Sequence, residues 1–274
     1  MVVKLLVVTA AVLVVIFALV RAIEPRVAFF PASGEDSVPS AHGVPYDAAT
    51  IDTADGERLH AWLLPSPNAR ATVVYFHGNG GNLSIWLPIL VGLQRQGFTV
   101  AAFDYRGYGA STGRPSERGL YRDVDAVVEW GSRLERPNTP LVYWGRSLGT
   151  AMAAYAATLR RPDRLILESG FPNARSLFRG SLPLGFLSLF SSYRFPTAEF
   201  ARRANCPVLV LHGDADRVIP MAHGRALFDA LPEPKQFVIV PGADHNDAAP
   251  PQPDAYWAAV RDFIGEGTTP RHPQ

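Results

Sequence analysis

The chain has a single cysteine among its 274 residues, almost no net charge and no clustered metal ligands. One cysteine excludes a disulfide within the chain, and Cys206 precedes an apolar run where it is expected to pack rather than react. The 26 basic and 25 acidic side chains give a formal net charge of +1, and that balance does not indicate a nucleic-acid partner. Because no histidine, cysteine or carboxylate set has metal-ligand spacing, we expect neither a metal nor another cofactor.

Residues 145–149 read Gly-Arg-Ser-Leu-Gly and follow an apolar run that starts at Leu141. This pattern predicts a strand, a sharp turn and a helix, with Ser147 held in the turn as the nucleophile of a hydrolase. The flanking glycines suit such a bend because it leaves no room for a Cβ atom on either side. Ordinary turns also contain this spacing, so the interpretation depends on the motifs that accompany it.

Two later segments supply an acid and a base in chain order. Asp216 and His245 each follow a β-branched apolar run, so the order is serine, aspartate, histidine, as in the α/β-hydrolase fold. His245 is then expected to act as general base on Ser147, and Asp216 is expected to fix the imidazole tautomer. Glu168 and Asp214 are alternative positions for the acid.

A glycine-rich loop, residues 77–82, reads His-Gly-Asn-Gly-Gly-Asn and runs off a predicted strand. Its backbone amides are candidates for an oxyanion hole, with one donor at the amide of Asn79 and the other at the amide of Leu148. The alternative is a phosphate cradle. The loop lacks the Gly-Lys-Ser/Thr ending and the Gly-x-Gly-x-x-Gly spacing of nucleotide sites, which disfavours that alternative.

Taken together, five motifs resemble the Bem46-like group of α/β-hydrolase domain-containing serine hydrolases: residues 77–82, 103–111, 145–149, 212–216 and 244–247. The resemblance spans about residues 44–265. It implies the fold and the triad but leaves the substrate open, because the group includes esterases, lipases and thioesterases. One departure is Asp244, where the group more often carries glycine before the histidine.

The N-terminal segment, residues 5–20, is apolar except for Thr9 and lies between Lys4 and Arg21. Sixteen helical residues span about 24 Å, and a snorkelling Lys4 extends that reach toward a hydrocarbon core of roughly 30 Å. We therefore predict an uncleaved single-pass membrane anchor, residues 1–23. The alternative is a signal peptide, which would leave a secreted or periplasmic protein, although Arg21 makes a poor cleavage context.

Alternating strand and helix patterns predict one α/β domain at residues 46–266, preceded by an exposed linker at 24–45 and followed by a flexible tail at 267–274. An antiparallel hairpin around Asp55 opens the domain. Strands are then predicted near 71–76, 98–104, 141–146, 165–169, 207–212 and 236–241, with helices near 83–96, 117–134, 148–160, 221–231 and 253–265. Such alternation indicates a mostly parallel, doubly wound sheet with catalytic loops at the strands' carboxyl ends.

Residues 170–202 carry more large apolar side chains than a simple connection needs. We interpret this segment as a short lid that lines an acyl pocket, with Phe171, Phe178 and Phe186 as substrate-binding residues. Trp86, just past the glycine-rich loop, is a fourth candidate. The alternative is that these side chains only pack in the core.

These observations favour a membrane-associated serine hydrolase that cleaves ester or thioester bonds of apolar acyl substrates, with a small-molecule or lipid substrate as its partner. A peptidase or an acyltransferase could use the same triad. A noncatalytic, membrane-anchored binding module is the alternative from a different class.

Overall fold

The computed structural model describes residues 2–178, 185–186, 188–247 and 250–265. A long N-terminal helix, α1 Val2–Ala28, precedes an α/β domain. The part Val2–Arg26 has a mean hydropathy of 2.9 and is long and apolar enough to cross a membrane, a test that a signal sequence also meets. Within the part of the chain that the structure describes, most of the aliphatic side chains of α1 are exposed.

Eight strands form the central sheet: β2 Asp47–Asp52, β3 Arg58–Leu64, β4 Thr72–Phe76, β6 Thr99–Phe103, β7 Leu141–Arg146, β8 Arg164–Glu168, β9 Val208–Gly213 and β10 Lys235–Val240. Their order is β10-β9-β8-β7-β4-β6-β3-β2. The predicted hairpin, β2 and β3, is antiparallel, and β3 pairs antiparallel with β6. All other neighbours are parallel, which confirms the predicted doubly wound α/β fold.

Helices cover both faces of this sheet: α2 Leu87–Arg95, α3 Glu117–Ser132, α4 Gly149–Leu159, α5 Thr197–Arg203, α6 Met221–Asp229 and α7 Pro253–Gly265. Along β4 the side chains alternate between two apolar clusters, with Val74 and Phe76 in one and Val73 and Tyr75 in the other. The first cluster includes residues of α3 and α4, and the second includes residues of α2 and α7. Every residue of β4 is buried. This burial on both faces explains why the strand is almost entirely apolar and does not alternate between apolar and polar residues.

The N-terminal boundaries differ from the prediction. Helix α1 continues to Ala28, five residues past the predicted end of the anchor. Most residues of the segment predicted as an exposed linker are exposed, but the segment also packs on the domain through buried residues such as Phe29 and Val44. A short strand within it, β1 Phe30–Pro31, pairs in parallel with β5 Gly80–Gly81 of the glycine-rich loop. The backbone pairing and the apolar burial explain why this proline- and glycine-rich stretch is not a free connector.

The predicted lid and tail are only partly covered by the described residues. Residues 179–184 and 187 of the lid, including Leu182, Leu184 and Leu187, lie outside them, as does the tail at 267–274. The described part of the lid segment includes a 3-10 helix, Ala174–Phe178, and most of α5. Phe200 of α5 packs against Tyr121 and Tyr155, at ring-centroid distances of 5.7 Å and 5.2 Å, so this end of the segment belongs to the domain core.

Candidate active site

Ser147 occupies the turn between β7 and α4 in a left-handed backbone conformation, with φ of 55°. Its N–H donates to the carbonyl of Glu168 at 2.9 Å, and its own carbonyl accepts from the amide and the hydroxyl of Thr150 at 3.0 Å and 2.6 Å. Non-glycine residues rarely adopt this conformation unless their surroundings impose it. The hydrogen bonds on both sides of Ser147 therefore hold a strained turn, as the sequence motif predicts.

Close backbone approach explains the two glycines of the motif. A Cβ atom at Gly145 would lie 2.2 Å from the carbonyl oxygen of Gly149. A Cβ atom at Gly149 would lie 1.9 Å from the carbonyl oxygen of Phe76, at the end of β4. Both distances are far inside van der Waals contact, so the turn fits against the neighbouring strand only when these positions lack side chains.

The structure brings together the three side chains that the sequence picks out. His245 Nε2 lies 3.0 Å from Ser147 Oγ, and His245 Nδ1 lies 2.8 Å from Asp216 Oδ2. The three residues follow β7, β9 and β10, and the carboxyl ends of these parallel strands meet at one edge of the sheet. Residues 98 and 29 positions apart thus form one hydrogen-bonded chain.

Asp216 is buried, and its two carboxylate oxygens have different partners. Oδ1 accepts the backbone N–H groups of Val218 and Ile219 at 3.0 Å and 2.8 Å, which leaves Oδ2 for His245. Burial on its own would raise the pKa of this carboxyl, but the hydrogen bonds from His245 and Ile219 outweigh burial and lower the pKa. The carboxylate is therefore ionised and oriented at neutral pH.

The two alternative acids have other partners. The carboxylate of Glu168 accepts from Trp144 Nε1 at 3.0 Å and from the Tyr256 hydroxyl at 3.2 Å. Asp214 Oδ1 accepts from the amide of Gly242 at 2.7 Å. Since the Nδ1 atom of His245 faces Asp216, the geometry favours Asp216 over both.

Asp244, the departure from the family pattern, connects the loop of the acid to the loop of the histidine. Its carboxylate accepts the amide of His245 at 2.7 Å and the amide of Arg217 at 3.1 Å, and it pairs with the Arg217 guanidinium at 2.5 Å. The guanidinium holds the pKa of Asp244 at about 2. The aspartate therefore tightens the turn before His245 and fixes it to Arg217, next to Asp216.

Arg146 has a structural part in the site that the sequence analysis did not assign. Its buried guanidinium donates through Nη2 to the carbonyls of His245 and Asp247, at 3.0 Å and 2.9 Å. The same group lies 5.5 Å from the ring centroid of Trp86 and 3.9 Å from Glu168. The residue before the nucleophile thus holds the histidine loop. The sequence feature that could have indicated this role is a charged residue at the end of an otherwise apolar strand.

The glycine-rich loop lies beside the serine. The Asn79 side chain accepts from the Tyr108 hydroxyl at 2.9 Å and donates through Nδ2 to the carbonyl of Ala28 at 2.7 Å. Trp86 stacks on His77 at a centroid distance of 6.2 Å and leaves no space for a Cβ atom at Gly78, which would lie 2.8 Å from its ring. Asn79 and Leu148, the predicted oxyanion donors, both border the cavity that contains Ser147.

The buried carboxyl group of Asp104 lies against the glycine-rich loop. Asp104 follows β6, accepts the amide of Leu83 at 2.9 Å and lies 3.6 Å from His77 Nε2. Burial raises the pKa of Asp104 to about 8 and lowers the pKa of His77 to about 4. The pair is therefore uncharged in the folded protein over much of the pH range between 4 and 8.

The raised pKa of Asp104 predicts a loss of stability as the pH rises. In the unfolded chain the carboxyl ionises near pH 3.9, so between pH 4 and 8 the unfolded state releases a proton that the folded state retains, and folding becomes less favourable. Asp104→Asn removes this penalty. Between pH 5 and pH 8, the free energy of unfolding of wild type should fall relative to that of Asp104→Asn by more than about 1.4 kcal/mol. That difference corresponds to one pKa unit.

Urea unfolding at four pH values measures this difference. Asp52→Asn, at an exposed position of β2, serves as the matched control and should follow the wild-type pH profile. Parallel profiles for wild type and Asp104→Asn would show that Asp104 ionises normally in the folded protein.

A cavity of about 1190 Å³ opens on Ser147 and His245. Three of the four predicted substrate-binding residues, Trp86, Phe171 and Phe178, line it. The fourth, Phe186, is not among the residues that line the cavity: its side chain is 47% exposed and packs edge-on against Phe190 at 5.3 Å. Apolar character identified the segment, but it could not show which side chains face inward. Among the described residues, no group of three or more metal-ligating side chains forms a site.

Comparison with known proteins gives matches over most of the chain. Residues 71–167 match a family model described as the alpha/beta hydrolase fold, and residues 191–274 match one described as TAP-like protein. An uncharacterized protein of Mycobacterium tuberculosis is 35% identical over 246 residues, with 88% of this chain and 87% of that protein covered. An uncharacterized membrane protein of Saccharomyces cerevisiae is 34% identical, with 83% and 82% covered.

A solved esterase from Pyrococcus furiosus superimposes with a TM-score of 0.69, covering 86% of this chain and 97% of the esterase. The two sequences are 17% identical, so this similarity concerns the fold.

Proposed function

The chain belongs to the α/β-hydrolase family, and from this premise we propose that it is a serine hydrolase of ester or thioester bonds in apolar acyl substrates. The observation that carries the proposal is the hydrogen-bonded chain from Ser147 through His245 to Asp216, with distances of 3.0 Å and 2.8 Å. Such a chain activates a hydroxyl that is otherwise a weak nucleophile at neutral pH.

The reaction begins with attack of Ser147 Oγ on the substrate carbonyl carbon while His245 Nε2 takes the hydroxyl proton. Collapse of the tetrahedral intermediate breaks the ester or thioester bond, and the leaving alcohol or thiol takes that proton from His245. A water molecule then attacks the acyl-serine and gives its proton to His245. The carboxylic acid leaves, and Ser147 regains its hydroxyl.

The oxyanion that forms in both steps needs donors that are already in place. We assign this role to the backbone amides of Leu148 and Asn79. Leu148 follows the nucleophile directly and caps α4, so its amide belongs to the positive end of the helix. Asn79 is fixed by its side-chain bonds to Tyr108 and Ala28. Loss of one such donor typically costs about 2.7–4 kcal/mol of transition-state stabilisation.

The cavity supports an apolar acyl substrate. Aromatic and aliphatic side chains dominate its lining, and its volume of about 1190 Å³ exceeds the roughly 300–1,000 Å³ of most small-molecule sites. A second candidate, peptide or amide hydrolysis, uses the same triad. The lining contributes few charged groups beyond the triad to hold a peptide, and this favours acyl esters and thioesters.

Membrane anchoring through α1 is part of the proposal. The helix has the length and hydropathy for one crossing, and a relative with 34% identity is named as a membrane protein. The alternative of a cleaved signal sequence predicts a mature protein without α1. N-terminal sequencing of the protein purified from cells distinguishes the two.

A substrate panel tests the proposed activity. The purified full-length protein is assayed on matched acyl esters, thioesters and amides, with and without an alcohol acceptor. We expect ester or thioester turnover to exceed amide turnover by at least about tenfold, equivalent to roughly 1.4 kcal/mol in the barrier. Preferred amide cleavage would indicate a peptidase, and transfer to the alcohol an acyltransferase. Tight lipid binding without any turnover would indicate a binding module.

A further inference from the structure

The cavity beside Ser147 extends to the N-terminal helix. Six residues of α1 line the same space as Ser147 and His245: Glu24, Ala28 and four larger aliphatic residues, Ile16, Leu19, Val20 and Ile23. The spacing of these four, three, four and seven residues from the first, places them on one face of the helix. A single surface of α1 is therefore a wall of the candidate active site.

Polar contacts fix the end of α1 to the domain. The Glu24 carboxylate is buried and accepts hydrogen bonds from the hydroxyls of Ser191 and Ser192 and from the amides of Ser192 and Tyr193. One helical turn later, the carbonyl of Ala28 accepts from Asn79 Nδ2 at 2.7 Å. These contacts reach both the lid segment and the glycine-rich loop. These contacts therefore hold the end of the helix in a fixed position beside the candidate active site.

The chemistry of this wall suits a hydrocarbon chain. From Ile16 to Ile23 the lining side chains of α1 are aliphatic and carry no donor or acceptor, and the backbone groups of a helix are bonded internally. The one charged lining residue of α1, Glu24, has its carboxylate bonded to the lid segment. Such a surface binds its ligand by removing apolar area from water, without selecting a head group. Phe171, Leu177 and Phe178 are among the apolar residues that line the cavity on the side of the domain.

The domain leaves much of the same helix face uncovered. Leu19 and Ile23 remain 55% and 50% exposed, and both lie within the span that is long and apolar enough to cross a membrane. If this span crosses the membrane, the uncovered part of these side chains would contact lipid beside the cavity.

We propose that α1 is one wall of the acyl-binding site and that esters dissolved in the bilayer reach Ser147 along its Ile16 to Ile23 face. The inference rests on the proposed hydrolase function and adds the substrate class, a membrane-resident acyl ester, and its route. It also gives α1 a binding role that a cleaved leader would not have.

Two substitutions of the same residue type test the route. Val20→Trp places a large ring in the cavity wall, whereas Val14→Trp places it about 120° around the helix, where Val14 is 66% exposed and does not line the cavity. Both changes keep the helix apolar. Full-length proteins are reconstituted in phosphatidylcholine vesicles and assayed with p-nitrophenyl palmitate in the bilayer and p-nitrophenyl butyrate in solution.

For Val20→Trp we expect kcat/KM to fall about tenfold or more on the palmitoyl ester, the usual scale for a misfitting apolar group, and less than about twofold on the butyryl ester. Val14→Trp should match wild type on both esters. Ile16→Trp, one turn earlier on the lining face, is expected to repeat the selective loss and carries the test should Val20→Trp fail to fold.

Distinct outcomes separate this inference from the function on which it rests. If wild type hydrolyses neither ester, the hydrolase proposal fails and the inference fails with it. If wild type hydrolyses both and the lining-face variants lose neither, or lose both equally, the hydrolase proposal stands but α1 is not an acyl-binding wall. Equal selective losses in Val14→Trp and Val20→Trp would likewise overturn the assigned route.

Discussion

Ser147→Ala is expected to lower kcat for ester hydrolysis by roughly 10⁵- to 10⁶-fold, the scale seen when the nucleophile of a serine triad is removed. The reason is that the Ser147 hydroxyl is the group that His245 Nε2 contacts at 3.0 Å. Without it no acyl-enzyme forms at this position. The remaining rate would come from bound substrate, the oxyanion donors and water activated by His245.

Ser188→Ala is the matched control for this prediction. Ser188 lines the same cavity, but its hydroxyl donates to the carbonyl of Gly185 at 2.7 Å and not to His245. Its variant should keep kcat within about twofold of wild type. Initial rates on one ester, with thermal unfolding to verify folding, provide the comparison. More than about a tenth of wild-type activity in folded Ser147→Ala would remove Ser147 from the mechanism.

Asp216→Asn is expected to lower kcat by about 10⁴-fold at neutral pH, as in another serine hydrolase triad that received this change. The backbone amides of Val218 and Ile219 donate to Oδ1, so an asparagine would direct its carbonyl toward them and its NH₂ toward His245. Nδ1 would then have to accept a hydrogen bond. The proton would reside on Nε2, and His245 could not take one from Ser147.

Asp214→Asn tests the specificity of that effect, because it removes the same charge two residues away. Asp214 accepts only from the amide of Gly242 among its described hydrogen bonds, so its variant should retain kcat within about threefold of wild type. A loss in Asp214→Asn comparable to that in Asp216→Asn would mean that loop charge, rather than the tautomer of His245, controls the rate.

The turns that carry the candidate catalytic residues could be predicted because the sequence features that indicate them are local. The bend at Ser147 needs glycines on both sides, and the sequence shows them within five residues. Strand and helix positions follow from apolar runs and their period, so the central sheet was predictable to within a few residues. Since parallel strands end at one edge, the order of Ser147, Asp216 and His245 also predicted that they would meet there.

Contacts between distant segments left no local signal. Glu24 and Ser191 are 167 positions apart, and nothing around either residue indicates that the N-terminal helix packs beside a serine-rich segment. The same limit applies to the segment at 24–45, whose turn-forming composition predicted an exposed linker and did not indicate that Phe29 and Val44 within it are buried. Composition describes what a segment tolerates locally, and tertiary packing decides whether it is covered.

The inward or outward direction of single side chains was also beyond the sequence. Phe178 lines the cavity and Phe186 does not, although both lie in one apolar segment without a clear period. Arg146 shows the same limit for a charged residue. It lies at the end of a buried strand, and its guanidinium donates to the carbonyls of His245 and Asp247. A buried guanidinium is stable only with such partners, which only the folded chain supplies.

Mass spectrometry of the protein after reaction with a fluorophosphonate tests the central claim most directly, because the probe phosphonylates only a serine that a neighbouring base activates. The account predicts one adduct per chain, on the peptide that contains Ser147, absent from Ser147→Ala and formed much more slowly in Asp216→Asn. An adduct on another residue, or ester hydrolysis by a protein that takes no adduct, would contradict it.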